Sequence, residues 1–146
     1  MAKFHFSLQA FMRRREDLEQ TARDEMMMRV SRHQQEQQKL DDLKCRRNGT
    51  SVEMAEKQQE DTAYTELIYY RMYLDRLDYE IENSNRRLVR LRAEVEIQRK
   101  VLVEASKKRK TLSSLRDKRE KEFNVALEKT FQKEIDDIVV IRHKWF

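Results

Sequence analysis

The sequence has no proline, a single glycine (Gly49) and a single cysteine (Cys45). Turns usually recruit Gly and Pro, so a small β or α/β fold with frequent reversals has nothing to build them from. Nothing in the chain breaks a long helix. One cysteine cannot make an internal disulfide, which fits a reducing compartment and gives no sign of secretion. The opening MAKFHFSLQAFMRRRE lacks an apolar stretch of signal-peptide length. No run approaches the roughly 18 apolar residues of a membrane span. A phosphate-binding loop is excluded too, because such loops need several glycines.

What the chain has is charge. Of its 146 residues, 40% are charged and 38% hydrophobic, against about 25% and 45–50% in an ordinary globular domain. A compact core is therefore not expected. The 32 basic and 27 acidic residues are mostly interleaved and leave a net charge of +5, the pattern of a solvated helical surface.

The apolar periodicity is helical. From about Phe4 to Arg47 the row reads Phe4, Leu8, Phe11, Leu18, Ala22, Met26, Val30, Leu40 and Leu43, mostly in steps of three and four. Arg15, His33 and Gln37 are its polar members. The steps from Leu18 to Val30 are all fours, which relaxes a left-handed supercoil locally. Residues 48–62 read as a turn or short connecting helix. Asn48-Gly49 can end a helix, and Thr50 or Ser51 can cap the next. A second helix is expected from about Ala63 to His143. Its seam runs Leu67, Tyr70, Leu74, Leu77, Ile81, Ser84, Leu88, Leu91, Val95, Gln98, Leu102, Ala105, Arg109, Leu112, alternating three and four without a slip and apolar except at Ser84, Gln98 and Arg109. That is a coiled-coil seam, and about 80 helical residues extend about 120 Å. A tight turn makes neighbouring helices antiparallel. The expected fold is all-α, a single rod-like coiled-coil domain over residues 1–146: an antiparallel two-helix hairpin. Dimerisation through the same seam is the alternative, but two matched stripes flanking one strong break favour the hairpin.

Catalytic chemistry has no foothold. His5, His33 and His143 lie far apart, and His33 sits on the seam as a packing residue. Cys45, among Lys44, Arg46 and Arg47, reads as an incidental thiol. Carboxylates at helical spacing make surface ion pairs, and a rod offers no pocket that shifts a carboxylate pKa. No enzyme, metal or cofactor is expected. From Asn85 to Lys121 there are 14 basic residues and five acidic ones. A leucine-zipper factor also joins a basic helix to heptads, but here the seam runs through the basic stretch. A solvated or acid-partner-facing surface fits better than nucleic acid.

Both chain ends carry a resemblance. Phe4-His5-Phe6-Ser7-Leu8-Gln9, followed by Arg13, Arg15, Glu16, Glu19 and Ala22, resembles the opening of FliJ proteins, an F-x-F-x-L element before an Arg/Glu-rich helix. Gln132-Lys133-Glu134-Ile135-Asp136-Asp137-Ile138 is similar to the family's C-terminal element. The resemblance implies an antiparallel coiled coil like the central stalk of rotary ATPases. It implies a soluble cytoplasmic component of the flagellar type III export apparatus, peripheral to the inner membrane, that serves flagellum assembly and motility. Such a stalk inserts into the ring of the export ATPase FliI, contacts the cytoplasmic part of the gate protein FlhA and handles export chaperones. An injectisome stalk resembling YscO, or a structural coiled coil with no export role, is the alternative. By resemblance the gate contact falls on Tyr70, Leu74, Leu77 and Ile81, with Leu40 and Leu43 on helix 1 between Glu36 and Arg47. The family often has tyrosines where this chain has Leu43 and Arg47.

If helix 1 ends near Arg47 and helix 2 starts near Ala63, Phe4 lies opposite roughly residue 106, and Arg109, Arg116 and Arg119 interrupt the seam just beyond. Apolar residues then return at Phe123, Leu127, Phe131, Ile135 and Ile138, with Val139, Ile141, Trp145 and Phe146 close by. An unpartnered apolar row marks a binding surface, and an amphipathic helix suits a partner's groove or pore. The resemblance implies that this partner is the ATPase ring. The matched stripes predict a monomer at low micromolar concentration by light scattering. An obligate dimer would rule out intramolecular pairing.

Overall fold

A computed structural model describes residues 2–145, so Phe146 lies outside the described residues. Helix α1 spans Gln9–Gln59, 51 residues, and helix α2 spans Tyr64–Lys144, 81 residues. No strand occurs among the described residues, and the two helices pack against one another, as the periodicity leads one to expect.

Residues 2–6 are not helical. The chain enters α1 through a turn in which the Gln9 amide donates to the Phe6 carbonyl at 3.1 Å and the Met12 amide to the Leu8 carbonyl at 2.9 Å. The reversal between the helices occupies residues 60–63. There the Glu60 amide donates to Glu56, Thr62 to Glu60 at 2.8 Å and Glu66 to Ala63 at 3.0 Å. Asp61 and Thr62 have short polar side chains that favour such turns, and no described residue has a positive φ. α2 carries Glu66 in its first turn and Arg142, His143 and Lys144 in its last, each opposing the partial charge of its helix end.

The expected turn over residues 48–62 is corrected: Asn48-Gly49 lies inside α1, and the helix continues to Gln59. One glycine costs a helix interior about 1 kcal/mol relative to alanine, too little to break a helix packed on both sides of it. The buried row in fact runs on past the glycine, with Thr50, Met54 and Lys57 half-buried at helical spacing from Leu43. Two of these three are polar, so a search for apolar periodicity loses the row there.

The packing falls into two compact units. One, the turn unit, is Ala22–Leu102; the other, the end unit, joins the residues through Thr21 with those from Val103 onward. The turn unit buries Ala22, Leu40 and Leu43 of α1 and Leu74, Leu77 and Leu88 of α2. It also buries Ser84 and Gln98, and the Gln98 amide donates to the Ala22 carbonyl at 3.1 Å.

The end unit buries Phe6 and Met12. The Phe4 and Phe123 ring centroids are 5.7 Å apart, and the Arg119 guanidinium lies 5.9 Å from the centroid of Phe6 and donates to Ser7 at 3.2 Å. Phe4 therefore lies opposite Phe123, not residue 106. The later turn lengthens α1 and slides its start along α2. Arg109 and Arg119 do not interrupt the pairing either. Buried Glu19 accepts from the Ser106 hydroxyl at 2.7 Å and from Arg109, while Arg119 caps Phe6.

A Cβ added to Gly49 meets nothing within 4 Å. Gly49→Ala should therefore raise stability by about 0.5–1 kcal/mol, read as a higher urea midpoint at unchanged slope. A lowered midpoint would mean that Gly49 occupies a left-handed turn after all.

Candidate protein-interaction surfaces

The gate-contact residues of the resemblance all lie in the turn unit. Leu40, Leu43, Leu74 and Leu77 are buried, and Tyr70 and Ile81 are half-buried. Most of that set is the unit's own core. What stands exposed beside it is aromatic: Tyr64, Tyr69, Tyr73 and Tyr79, with Ile68 and Met72. Glu66, Tyr69, Tyr70 and Tyr73 line a shallow groove of about 270 Å³. Of these only Tyr70 is on the seam. Tyr69 and Tyr73 escape a search for periodicity, because a residue beside the seam scores as surface whether or not it is aromatic.

A polar pin holds the same unit. Glu36 on α1 accepts from the Ser84 hydroxyl at 2.7 Å and from Arg87 at 2.9 Å, and Ser84 is fully buried. Burial pushes the Glu36 carboxyl up, but the hydrogen bonds from Ser84 and Arg87, with the charges of Arg87 and Lys39, outweigh it and hold the group below its ordinary value of 4.5. Near the turn, Arg47 pairs with Asp78 at 2.7 Å. His33 is half-buried as a seam residue, and its Nε2 has no hydrogen-bond partner among the described residues. Cys45 is exposed and free, and no group of His, Cys, Asp and Glu among the described residues is placed to hold a metal ion.

In the end unit the C-terminal row divides in two. Phe123 and Leu127 are half-buried, and Phe123 packs on Phe4. Phe131, Ile135 and Ile138 are 50%, 55% and 62% exposed, and Val139, Val140, Ile141 and Trp145 are exposed as well. Burial ends with Leu127; every described residue after it is exposed. No helix is long and apolar enough among the described residues to cross a membrane, so this apolar surface is not a span.

The profile of the family described as "Flagellar FliJ protein" matches residues 4–144. The chain belongs to the FliJ family. No curated protein and no solved structure matches it. The chain is thus a flagellar export-related protein, of a family that is in general a non-catalytic component of export. The FliJ match extends through both the buried and the exposed parts of the C-terminal row, and through the tyrosine groove.

Because Glu36 titrates below its ordinary value when folded, its contribution to stability is present above pH 4.5 and is lost as pH falls through the folded value. Arg87 is nearly half exposed, so solvent screens part of the pair. Glu36→Gln should cost about 1–2 kcal/mol at neutral pH. The gap between wild type and variant should stay constant from neutral to mildly acidic pH and close in stronger acid. A gap that widens on acidification would contradict the pin.

Proposed function

We propose that the chain is a non-enzymatic stalk of the flagellar type III export apparatus, working in the cytoplasm at the inner membrane. In this reading the exposed end of α2 engages the ring of the export ATPase FliI and promotes its activity. The turn unit contacts the cytoplasmic part of the gate protein FlhA, and export chaperones are further partners. Coupling is mechanical: the helix pair links ATP hydrolysis at the ring to the gate.

The observation that carries the reading is the exposed apolar surface after Leu127 on a FliJ-family chain. Residues 138–141 are four consecutive apolar side chains, and successive side chains step round a helix by about 100°. A helical turn apolar on all sides favours an environment that encloses it, and a ring's central pore encloses a helix where a flat surface would not. Phe131, Ile135 and Ile138 are the contacts assigned to the ring, and Leu127 lies at their border. Phe123 is removed from the primary contacts, because Phe4 already covers it. On the gate side the exposed Tyr69 and Tyr73, with Tyr70, carry the contact. Leu40, Leu43, Leu74, Leu77 and Ile81 shape the surface from beneath.

Truncation after Lys129 keeps Phe123 and Leu127 and removes the exposed row. The truncated chain should retain most of its helicity by circular dichroism and should no longer stimulate ATP hydrolysis by purified FliI. Full stimulation by the truncated chain would sink the assignment of the ring contact.

A further inference from the structure

The chain's net charge is not shared between its two units. Residues 22–102 carry 16 basic and 16 acidic side chains, so the whole of the +5 belongs to the end unit. Within that unit, residues 1–21 and 103–121 hold twelve basic side chains and six acidic ones. Lys107 and Arg109 there each have a carboxylate partner. In the end unit Arg15 and Lys108 have none among the described residues.

These two cations flank an apolar floor. Leu8, Phe11, Arg15, Lys108, Thr111 and Leu112 line a groove of about 350 Å³. Phe11 is 62% exposed. The Thr111 hydroxyl donates to the Lys107 carbonyl at 2.9 Å, so it offers an incoming group no free proton. The groove thus presents three apolar side chains and two uncompensated positive charges.

We infer that this groove docks an acidic amphipathic helix of a partner protein. The partner's apolar row would seat on Leu8, Phe11 and Leu112, and its flanking carboxylates would meet Arg15 and Lys108. The chemistry selects this class over its rivals. A polyanion such as RNA would neutralise the cations but leave the apolar floor wet. A wholly apolar helix would cover Arg15 and Lys108 without compensation, and burying an unpaired charge is costly. A helix laid in a groove, with anchors three and four residues apart, satisfies both halves. The excess positive charge of the unit steers an acidic partner toward it. This site lies apart from the exposed row after Leu127, and the inference does not rest on the export reading.

The test uses the full-length chain and a fluorescein-labelled designed peptide with leucines at i, i+3, i+4 and i+7 and glutamates elsewhere. Two controls are a scrambled peptide of the same composition and a poly-uridine oligonucleotide. The amphipathic peptide should bind, and more weakly as salt rises. Arg15→Glu with Lys108→Glu should weaken it about tenfold or more, and Phe11→Ser about tenfold at an unchanged salt dependence. Circular dichroism checks that both variants fold. Independently, peptide bound to the unaltered chain should slow amide exchange in residues 8–15. The chain truncated after Lys129 should bind as well as the full chain, which separates this groove from the C-terminal row. Absence of binding, equal binding of the scrambled peptide, or loss on truncation would overturn the proposal. So would tighter binding of the oligonucleotide together with indifference to Phe11→Ser, which would make the surface a polyanion site.

Discussion

A carboxylate buried on one helix must find its donors on the other, and this requirement sets how α1 and α2 lie in each unit. In the turn unit Glu36 meets Ser84 and Arg87; in the end unit Glu19 meets Ser106 and Arg109. Slide either pair by a helical turn and buried Glu19 and half-buried Glu36 lose their donors, a cost greatest for Glu19, the more deeply buried of the two. The leucines alone impose no such rule. A seam that repeats every seven residues presents similar apolar surface after each slip of seven, so apolar contacts supply association and the polar pins supply register.

The pins sit where an apolar seam would otherwise be continuous. Ser84 and Gln98 are the most deeply buried seam polar groups, and both are hydrogen-bonded across the helix pair. A buried polar group is tolerated when satisfied and destabilising when not. These residues therefore weaken the seam slightly and narrow the pairings it allows. Arg119 does related work with different chemistry: its guanidinium covers the Phe6 ring and donates to Ser7, which holds the non-helical start of the chain on α2.

A two-helix pack has almost no interior, so core residues and exposed apolar residues stand within a turn or two of each other. Tyr70 belongs to the seam, while Tyr69 and Tyr73 share its groove from the outside. Phe123 is covered by Phe4, while Phe131, two turns on, is exposed. The units also differ in electrostatic character. The turn unit is neutral and presents tyrosines. The end unit carries the positive charge and an apolar terminus. Two surfaces of such unlike chemistry suit partners of unlike chemistry.

The sequence by itself determined the class of fold, the α2 seam and the family. An unbroken three-four alternation from Leu67 to Leu112 has no reading but a helix packed along one face, and the two terminal motifs lie far enough apart to be independent. It did not determine where the chain turns. Asn48-Gly49 is the strongest local break, yet its preference is worth about 1 kcal/mol, and packing of Thr50, Met54 and Lys57 on the far side outweighs it. Only the tertiary structure put the reversal at residues 60–63, and everything that depends on register followed from that. Phe4 met Phe123, Arg109 met Glu19, and the exposed apolar row began after Leu127 and not near residue 106. The grooves of Tyr69 and Tyr73, and of Phe11 and Lys108, were likewise invisible in one dimension. Helix periodicity tells which residues share a face, but which faces remain uncovered is decided by where the partner helix ends.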